Sequence, residues 1–314
     1  MGSETVVHEI PTIDFSNKDL KPGSSLWSST CDQIRHALEE YGCFVAKYDN
    51  LSTELATQIF CQSKDVFVLP TETKAKNVSE EPFRGYLGKI PQAPLYEGLA
   101  IDKATSLEEM RQFVNLMWPN GNDQFCDIAH SYAKQLAALD EMATKLVFES
   151  YGVGKHWEPV AAVRSHVLRF LKYEEPDDKD TTVRFAAHTD KNFTTILHQN
   201  HLGGLEVQTK DGTWISVNPK PSHFLLMAGD LMKVWSNDRI RACYHRVKLS
   251  AGNGERYSIG LFTFTDGAVK VPEELVDEEH PLLYKPFDNR EYIRFYVSDE
   301  AKKFDNPIKA YCGV

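Results

Sequence analysis

Gly204-Leu205-Glu206-Val207-Gln208-Thr209-Lys210-Asp211-Gly212-Thr213-Trp214-Ile215-Ser216-Val217 holds two short alternating runs, Leu205–Thr209 and Thr213–Val217, joined through a Lys-Asp-Gly turn. An Asp-Gly step between β-prone runs is hairpin chemistry, because glycine accepts the positive φ that tight turns need. The same texture continues in both directions. Val167–Tyr173, Thr194–His198, Phe224–Met227, Leu231–Trp235, His245–Leu249 and Tyr257–Thr265 are further short β-rich runs, punctuated by Gly203-Gly204 and Gly252-Asn253-Gly254. About eight strands at this spacing predict an antiparallel sandwich or barrel of jelly-roll type.

Upstream of about Ala162 the hydrophobic period is mostly helical. Ile10–Phe15 alternates as a strand, and Ser28–Tyr41 keeps helical spacing up to a left-handed stop at Gly42. Cys43–Ala46 reads as a buried strand, and a second helix runs from about Ser52 to just before Pro70. Glu81–Gly98, with three prolines and three glycines, is expected to be a loop able to cover a site. Ser106–Glu109 has capping-box spacing, yet Phe113–Trp118 looks strand-like, and the pattern decides for neither. Phe125–Tyr151 is the clearest helix, roughly 40 Å long at ~1.5 Å per residue. The tail after Pro272 is acidic and then helix-like over Arg290–Lys303. The expected fold is mainly β with helical additions: a jelly-roll core over 161–268, an N-terminal α/β half (1–160) packed on it, and a helical tail (269–314) over the site.

Composition excludes several function classes. The 314 residues carry 35 basic and 45 acidic side chains, a net charge of −10. Such a balance does not suit phosphate neutralisation in nucleic-acid binding, or a polybasic membrane anchor. No run reaches the ~18–20 apolar residues that span a bilayer. The opening Met1-Gly2-Ser3-Glu4-Thr5-Val6 lacks the blocks of a secretory signal, and Val6 stands where a myristoylation motif wants Ser or Thr. Cys31, Cys43, Cys61, Cys126, Cys243 and Cys312 form no Cys-x-x-Cys and no tight cluster, so reduced thiols and a cytoplasmic location are expected. Nothing in the pattern demands more than a monomer.

The β-half contains His188-Thr189-Asp190 and, downstream, His245. In a strand, residues 188 and 190 point to one face, so an imidazole and a carboxylate can grip one metal ion. Two histidines and one carboxylate leave three coordination positions open, which suits non-haem Fe(II) acting on dioxygen. Chance alone yields roughly one His-x-Asp triplet in a chain of this composition, so a strand end with polar caps is an equal reading of the triplet alone. His156-Trp157-Glu158 is a similar pair, read as a solvated turn. Arg256-Tyr257-Ser258 places an arginine and a hydroxyl on one strand face, where a planar fork can bind a carboxylate bidentately. Tyr173 offers a further hydroxyl.

His188-Thr189-Asp190, His245-Arg246-Val247 after 54 intervening residues, and Arg256-x-Ser258 together resemble the plant Fe(II)/2-oxoglutarate-dependent dioxygenases. The resemblance covers almost the whole chain. It includes Ile10–Phe15, Tyr41-Gly42-Cys43-Phe44, Gly204–Val207, Trp214, Gly229-Asp230 and Trp235-Ser236-Asn237. Asn115-Leu116-Met117-Trp118-Pro119, Leu275–Leu282 and Lys309-Ala310-Tyr311-Cys312 are similar to a specialised-metabolism branch. That branch holds the alkenyl-glucosinolate-forming enzymes, deoxypodophyllotoxin synthase and steroidal-alkaloid hydroxylases. The resemblance implies that His188, Asp190 and His245 hold Fe(II), and that Arg256 and Ser258, helped by Tyr173, bind 2-oxoglutarate. It also implies O2 as oxidant, ascorbate as a supporting reductant, and hydroxylation, desaturation or ring closure of a small plant metabolite. One departure is Leu171, where many relatives place an asparagine facing the co-substrate.

Phe262 and Arg169 fall on the strand faces of Arg256 and Tyr173, and are expected to line a substrate pocket together with Phe193, Tyr86 and Tyr311. Two other readings stand beside the oxidase: a zinc hydrolase using the same three ligands, and a catalytically silent relative that only binds a small molecule.

Overall fold

The computed structural model describes residues 9–90, 93–175, 182–249 and 254–314; Met1–Val6 and the Gly252-Asn253 step of the expected turn lie outside this range. The chain opens with β1 (Thr12–Asp14), α1 (Ser25–Tyr41) and β2 (Cys43–Lys47), the two strands pairing in parallel. The Ser24 hydroxyl caps α1 by accepting from the Trp27 N–H at 3.1 Å. Gly42 ends the helix at φ 70°, and a Cβ there would stand 2.7 Å from the Arg241 carbonyl. Both the conformation and the close approach therefore demand glycine.

Next come α2 (Thr53–Val68), α3 (Thr71–Lys74), β3 (Tyr86–Leu87) and β4 (Tyr96–Ile101). The segment expected to be a plain loop thus carries two strands, and β4 is buried throughout. Its prolines and glycines flank the strands or sit where β4 meets a neighbour, so composition concealed them. In α4 (Leu107–Met117) the capping signal prevails over the strand-like run. Ser106 Oγ accepts from Glu109 N–H, and Met110, Phe113, Val114 and Met117 bury one face. The long α5 (Asp123–Ser150) is capped by the Asn122 side chain, which accepts from the Phe125 N–H at 3.0 Å. Then α6 (Trp157–Ala161) follows a short 3-10 turn. The His156–Glu158 pair read as a solvated turn lies where a 3-10 turn passes into α6: His156 meets Glu274 at 3.1 Å and Glu158 is exposed, while Trp157 between them is buried against Phe148.

The β-half runs β5 (Arg164–Tyr173), β6 (Thr182–His188), β7 (Thr194–Gln199), β8 (Leu205–Gln208), β9 (Trp214–Ser216) and β10 (His223–Ala228). It continues through α7 (Asp230–Trp235), β11 (His245–Leu249), β12 (Arg256–Thr265), β13 (Ala268–Val269), β14 (Phe287–Asp288), α8 (Asn289–Tyr296) and α9 (Pro307–Cys312). Leu231–Trp235, expected as a strand, is therefore helical. Its residues are apolar nearly all round, and a short continuous apolar run does not distinguish a buried strand from a buried helix. The single helix expected over Arg290–Lys303 breaks after Tyr296 and resumes as a 3-10 turn at Ala301–Lys303.

Two sheets face each other. The larger has the order β1-β2-β10-β7-β12-β5-β4-β3 and the smaller β6-β11-β8-β9. Helices α1, α2, α4 and α5 pack one apolar cluster onto the outer side of the large sheet, including Phe170, Ile196, Phe224, Ile259 and Leu261. A second cluster, including Leu171, Leu197, Leu205, Val207, Met227 and Val247, fills the space between the sheets. Strand β12 is buried along its whole length because it is covered on both sides. Its odd residues Tyr257, Ile259 and Leu261 face the helices, which leaves the even ones for the space between the sheets.

A polar clamp joins α5 to the sheet. Asp140, fully buried on α5, pairs with Arg164 at the start of β5, and accepts from the Thr194 and Thr263 hydroxyls at 2.5 and 2.8 Å. Asp140→Ala should lower the unfolding free energy by about 3–5 kcal/mol, because it strands the Arg164 charge out of water. Removing both charges in Asp140→Ala/Arg164→Met should restore part of that loss, and urea denaturation of the two variants measures it.

Candidate active site

His188 closes β6 and lies directly opposite His245, the first residue of β11. Their ring centroids are 4.3 Å apart, and Asp190 Oδ1 is 3.6 Å from His188 Nε2. One ligand atom from each of the three residues lies within 4.8 Å of the others. The strand reading of the triplet needs one correction: β6 ends at His188, so Asp190 reaches the site from the loop beyond it. What aims it there is a hydrogen bond of 2.6 Å from the Thr195 hydroxyl to its Oδ2, which leaves Oδ1 turned towards His188.

Both imidazoles are oriented in one way. His188 Nδ1 is 2.8 Å from the Ala186 carbonyl and His245 Nδ1 is 3.1 Å from that of Cys243. A carbonyl can only accept, so each Nδ1 donates to it, which turns each Nε2 towards the space between the three side chains. Burial opposes ionisation of Asp190, but hydrogen bonding to His188, the two nearby imidazoles and the Thr195 hydroxyl outweigh it and hold its carboxyl below the usual range. Two imidazole nitrogens and one carboxylate oxygen fit a divalent transition metal with open positions.

The loop carrying the triplet is pinned from behind by Asp230, at the start of α7. Thr189 Oγ1 and Lys191 Nζ each donate to its carboxylate at 2.7 Å, and the Tyr292 hydroxyl of α8 donates at 3.0 Å. The Asp230 N–H donates to the Asp190 carbonyl at 2.8 Å. The Gly229-Asp230 step seen in the sequence thereby acquires a physical role, and the C-terminal tail becomes part of the metal loop's support.

The opposite wall is the large sheet. Arg256 and Ser258 on β12 are fully buried, opposite Tyr173 and Leu171 of β5. Arg256 Nη1 donates to Ser258 Oγ at 3.2 Å and Nη2 to Gln199 Oε1 at 2.8 Å, while its Cζ lies 5.1 Å from the Tyr173 ring centre. Its buried Nε has no partner among the described residues, and no protein carboxylate pairs with it there. Ser258 Oγ accepts from the guanidinium, so its own proton is free to donate onward. Burial keeps the Tyr173 phenol protonated as a further donor. The arrangement fits a carboxylate brought in by a ligand. His188, Asp190, His245, Tyr173, Arg256 and Ser258 all line one cavity between the sheets.

Comparisons with known proteins agree with this geometry. The 2OG-Fe(II) oxygenase superfamily matches residues 164–265, and the N-terminal region of non-haem dioxygenases "in morphine synthesis" matches residues 10–120. The "Probable 2-oxoglutarate-dependent dioxygenase AOP1.2" of Arabidopsis thaliana is 39% identical over 98% of this chain and 97% of its own length. The chain belongs to the Fe(II)/2-oxoglutarate-dependent dioxygenases. Among solved structures, the Arabidopsis thaliana dioxygenase for auxin oxidation in its binary complex with 2-oxoglutarate superposes with a TM-score of 0.79. It is 28% identical, covering 87% of this chain and all of that one. The rice enzyme for auxin oxidation gives a TM-score of 0.81 at 25% identity, over 98% of this chain and 100% of its own.

Within this dioxygenase, Phe262 and Arg169 line the cavity beside His188, Asp190 and His245, and so does Leu171. Phe193, Tyr86 and Tyr311 are not among the lining residues. Phe193 packs behind the metal loop against Phe148 and Trp235. Tyr86 donates its hydroxyl to Glu97 at 2.7 Å, and Tyr311 on α9 stacks among Phe287, Tyr292 and Phe295. Sequence reasoning missed Gln199, Thr195 and Tyr96. Gln199 meets Ser258 across β7 and β12, and its Nε2 is held by the Val217 carbonyl at 3.0 Å. No local pattern could reveal it, since its role comes from strand register. Gln199→Leu should raise the KM for 2-oxoglutarate about tenfold or more while kcat changes less, because Arg256 loses a charge-assisted hydrogen bond. Steady-state succinate assays at varied 2-oxoglutarate check this.

Proposed function

We propose that His188, Asp190 and His245 hold Fe(II), and that Arg256 and Ser258, with Tyr173, hold the distal carboxylate of 2-oxoglutarate. The observation carrying this is the Arg256 guanidinium. It is wholly buried on the metal cavity, with an orphaned Nε and no protein carboxylate to neutralise it among the described residues. When bound, iron, 2-oxoglutarate and dioxygen supply an oxidant for a C–H bond, while 2-oxoglutarate becomes succinate and carbon dioxide.

The protein's own share is placement. Arg256 fixes one end of the dianionic co-substrate so that the other end faces the triad. The apolar lining of Leu171, Leu197 and Met227 keeps water away from the reacting carbon. The organic substrate is a small plant specialised metabolite, oxidised by hydroxylation, desaturation or ring closure. Leu171 contributes only apolar contact to the cavity.

Three finer readings accompany this one. Ascorbate should sustain turnover by keeping iron reduced. A cytoplasmic location is supported by the six free cysteines, since none of them forms a disulfide in the structure. A monomer is the proposed state. No helix among the described residues is long and apolar enough to cross a membrane.

Arg256→Ala should raise the KM for 2-oxoglutarate at least about a hundredfold, because it leaves a carboxylate unpaired in a partly dry pocket. Normal 2-oxoglutarate turnover by that variant would overturn the assignment. His188→Ala and Asp190→Ala should abolish succinate release dependent on Fe(II), 2-oxoglutarate and oxygen, with circular dichroism unchanged. Zinc-dependent hydrolysis without oxygen, or ligand binding with no turnover, would instead favour a hydrolase or a silent relative.

A further inference from the structure

Arg169 is a second guanidinium in the metal cavity, and nothing described so far gives it an anion. It lies on β5 two residues from Leu171 and four from Tyr173, on the same strand face. Its neighbour across the strands is Gly260 of β12. The missing side chain at 260 leaves room for the Phe262 ring: a Cβ there would stand 2.7 Å from that ring's edge. The guanidinium of Arg169 rests over the ring, 5.1 Å from its centre. One Nη reaches the Tyr96 hydroxyl at 3.4 Å, a long hydrogen bond to a group that is itself buried. Arg169 Nε is buried with no partner among the described residues, and no ion pair forms there.

Three partly or wholly covered arginines elsewhere in the molecule are neutralised by protein carboxylates. Arg84 pairs with Asp102, Arg164 with Asp140 and Arg246 with Glu206. Among the described residues, Arg256 and Arg169 both line the cavity, each with a buried Nε that has no partner and no protein carboxylate paired with it. Arg256 takes the distal carboxylate of the co-substrate on the reading above, on which this step rests. A second fork, oriented by an aromatic face and left with free N–H edges beside the metal, calls for a second oxyanion.

We propose that Arg169 pairs with a carboxylate of the organic substrate, so that this dioxygenase oxidises small organic acids. The pair sets the acid at one edge of the cavity and turns the remainder of the molecule towards the triad. Phe262 and Tyr96 are positioning residues for the arginine.

The test is calorimetric. Enzyme loaded with Fe(II) and 2-oxoglutarate under argon is titrated with phenylacetic, cinnamic, benzoic and octanoic acids, each beside its methyl ester. The wild type should bind at least one acid about tenfold tighter than its ester, a difference that disappears in Arg169→Gln. Arg169→Lys keeps the charge but loses the fork, and should fall between the two. Equal binding of acid and ester by the wild type, including equal failure to bind, overturns the proposal, as does an acid preference that survives Arg169→Gln. A rise in the 2-oxoglutarate Kd of Arg169→Gln matching that of Arg256→Gln would assign Arg169 to the co-substrate and also overturn it. Failure of 2-oxoglutarate to bind the iron-loaded wild type would overturn the dioxygenase reading itself, and this one with it.

Discussion

A guanidinium held out of water needs an anion, and at Arg256 none of the described residues supplies one. Leaving such a charge alone costs several kcal/mol, so the structure around it must both prevent collapse and admit a charged guest. Strand β12 meets the first demand by its position. It is bonded to β5 on one side and β7 on the other, and a slip of one residue would turn Arg256 towards the helices. Gln199 and Ser258 meet the second by holding the fork without neutralising it. His188 and His245 stand on the other sheet and Asp190 on the loop leaving it, so the distance between Arg256 and this triad is set by the packing of sheet on sheet.

Carboxylates are distributed around this requirement. Among the described residues, Asp190 is the acidic one lining the cavity, and it belongs to the triad proposed to hold the metal. Asp140 and Asp230 are buried just outside, where each gathers several donors and ties a helix to the strands or loop that carry the site. The net charge of −10 therefore says little about the chemistry. The acidic surplus lies away from the cavity, which presents arginines to its ligands.

The six residues that meet around one cavity were readable because motif and spacing carry them: a triplet, a distant histidine, an arginine two before a serine, and a tyrosine ending a β-run. The jelly-roll character was readable from turn chemistry and short alternating runs. Gln199 and Tyr96 were not readable, since each acts through a neighbour on another strand and register is invisible in one sequence. Thr195 acts on Asp190 across the loop between β6 and β7, whose shape the pattern does not give. Strand β4 was hidden by the prolines around it, and α7 by an apolar run that suits either element. Phe193, Tyr86 and Tyr311 show the converse difficulty. An aromatic residue near a motif in sequence can face the opposite side of its element, where packing or a hydrogen bond occupies it.

The order of strands in the large sheet has a further consequence. Its ten-residue strands, β5 and β12, lie inside the sheet, while its outermost strands β1 and β3 have three and two residues. An outer strand exposes unpaired N–H and C=O groups along its free side, and the length of that row decides how well a foreign strand can dock. By ending in fragments, the large sheet offers little template for edge-to-edge aggregation. The same strands that build the cavity, rich in β-branched and aromatic residues, would be the most hazardous ones to leave at a margin.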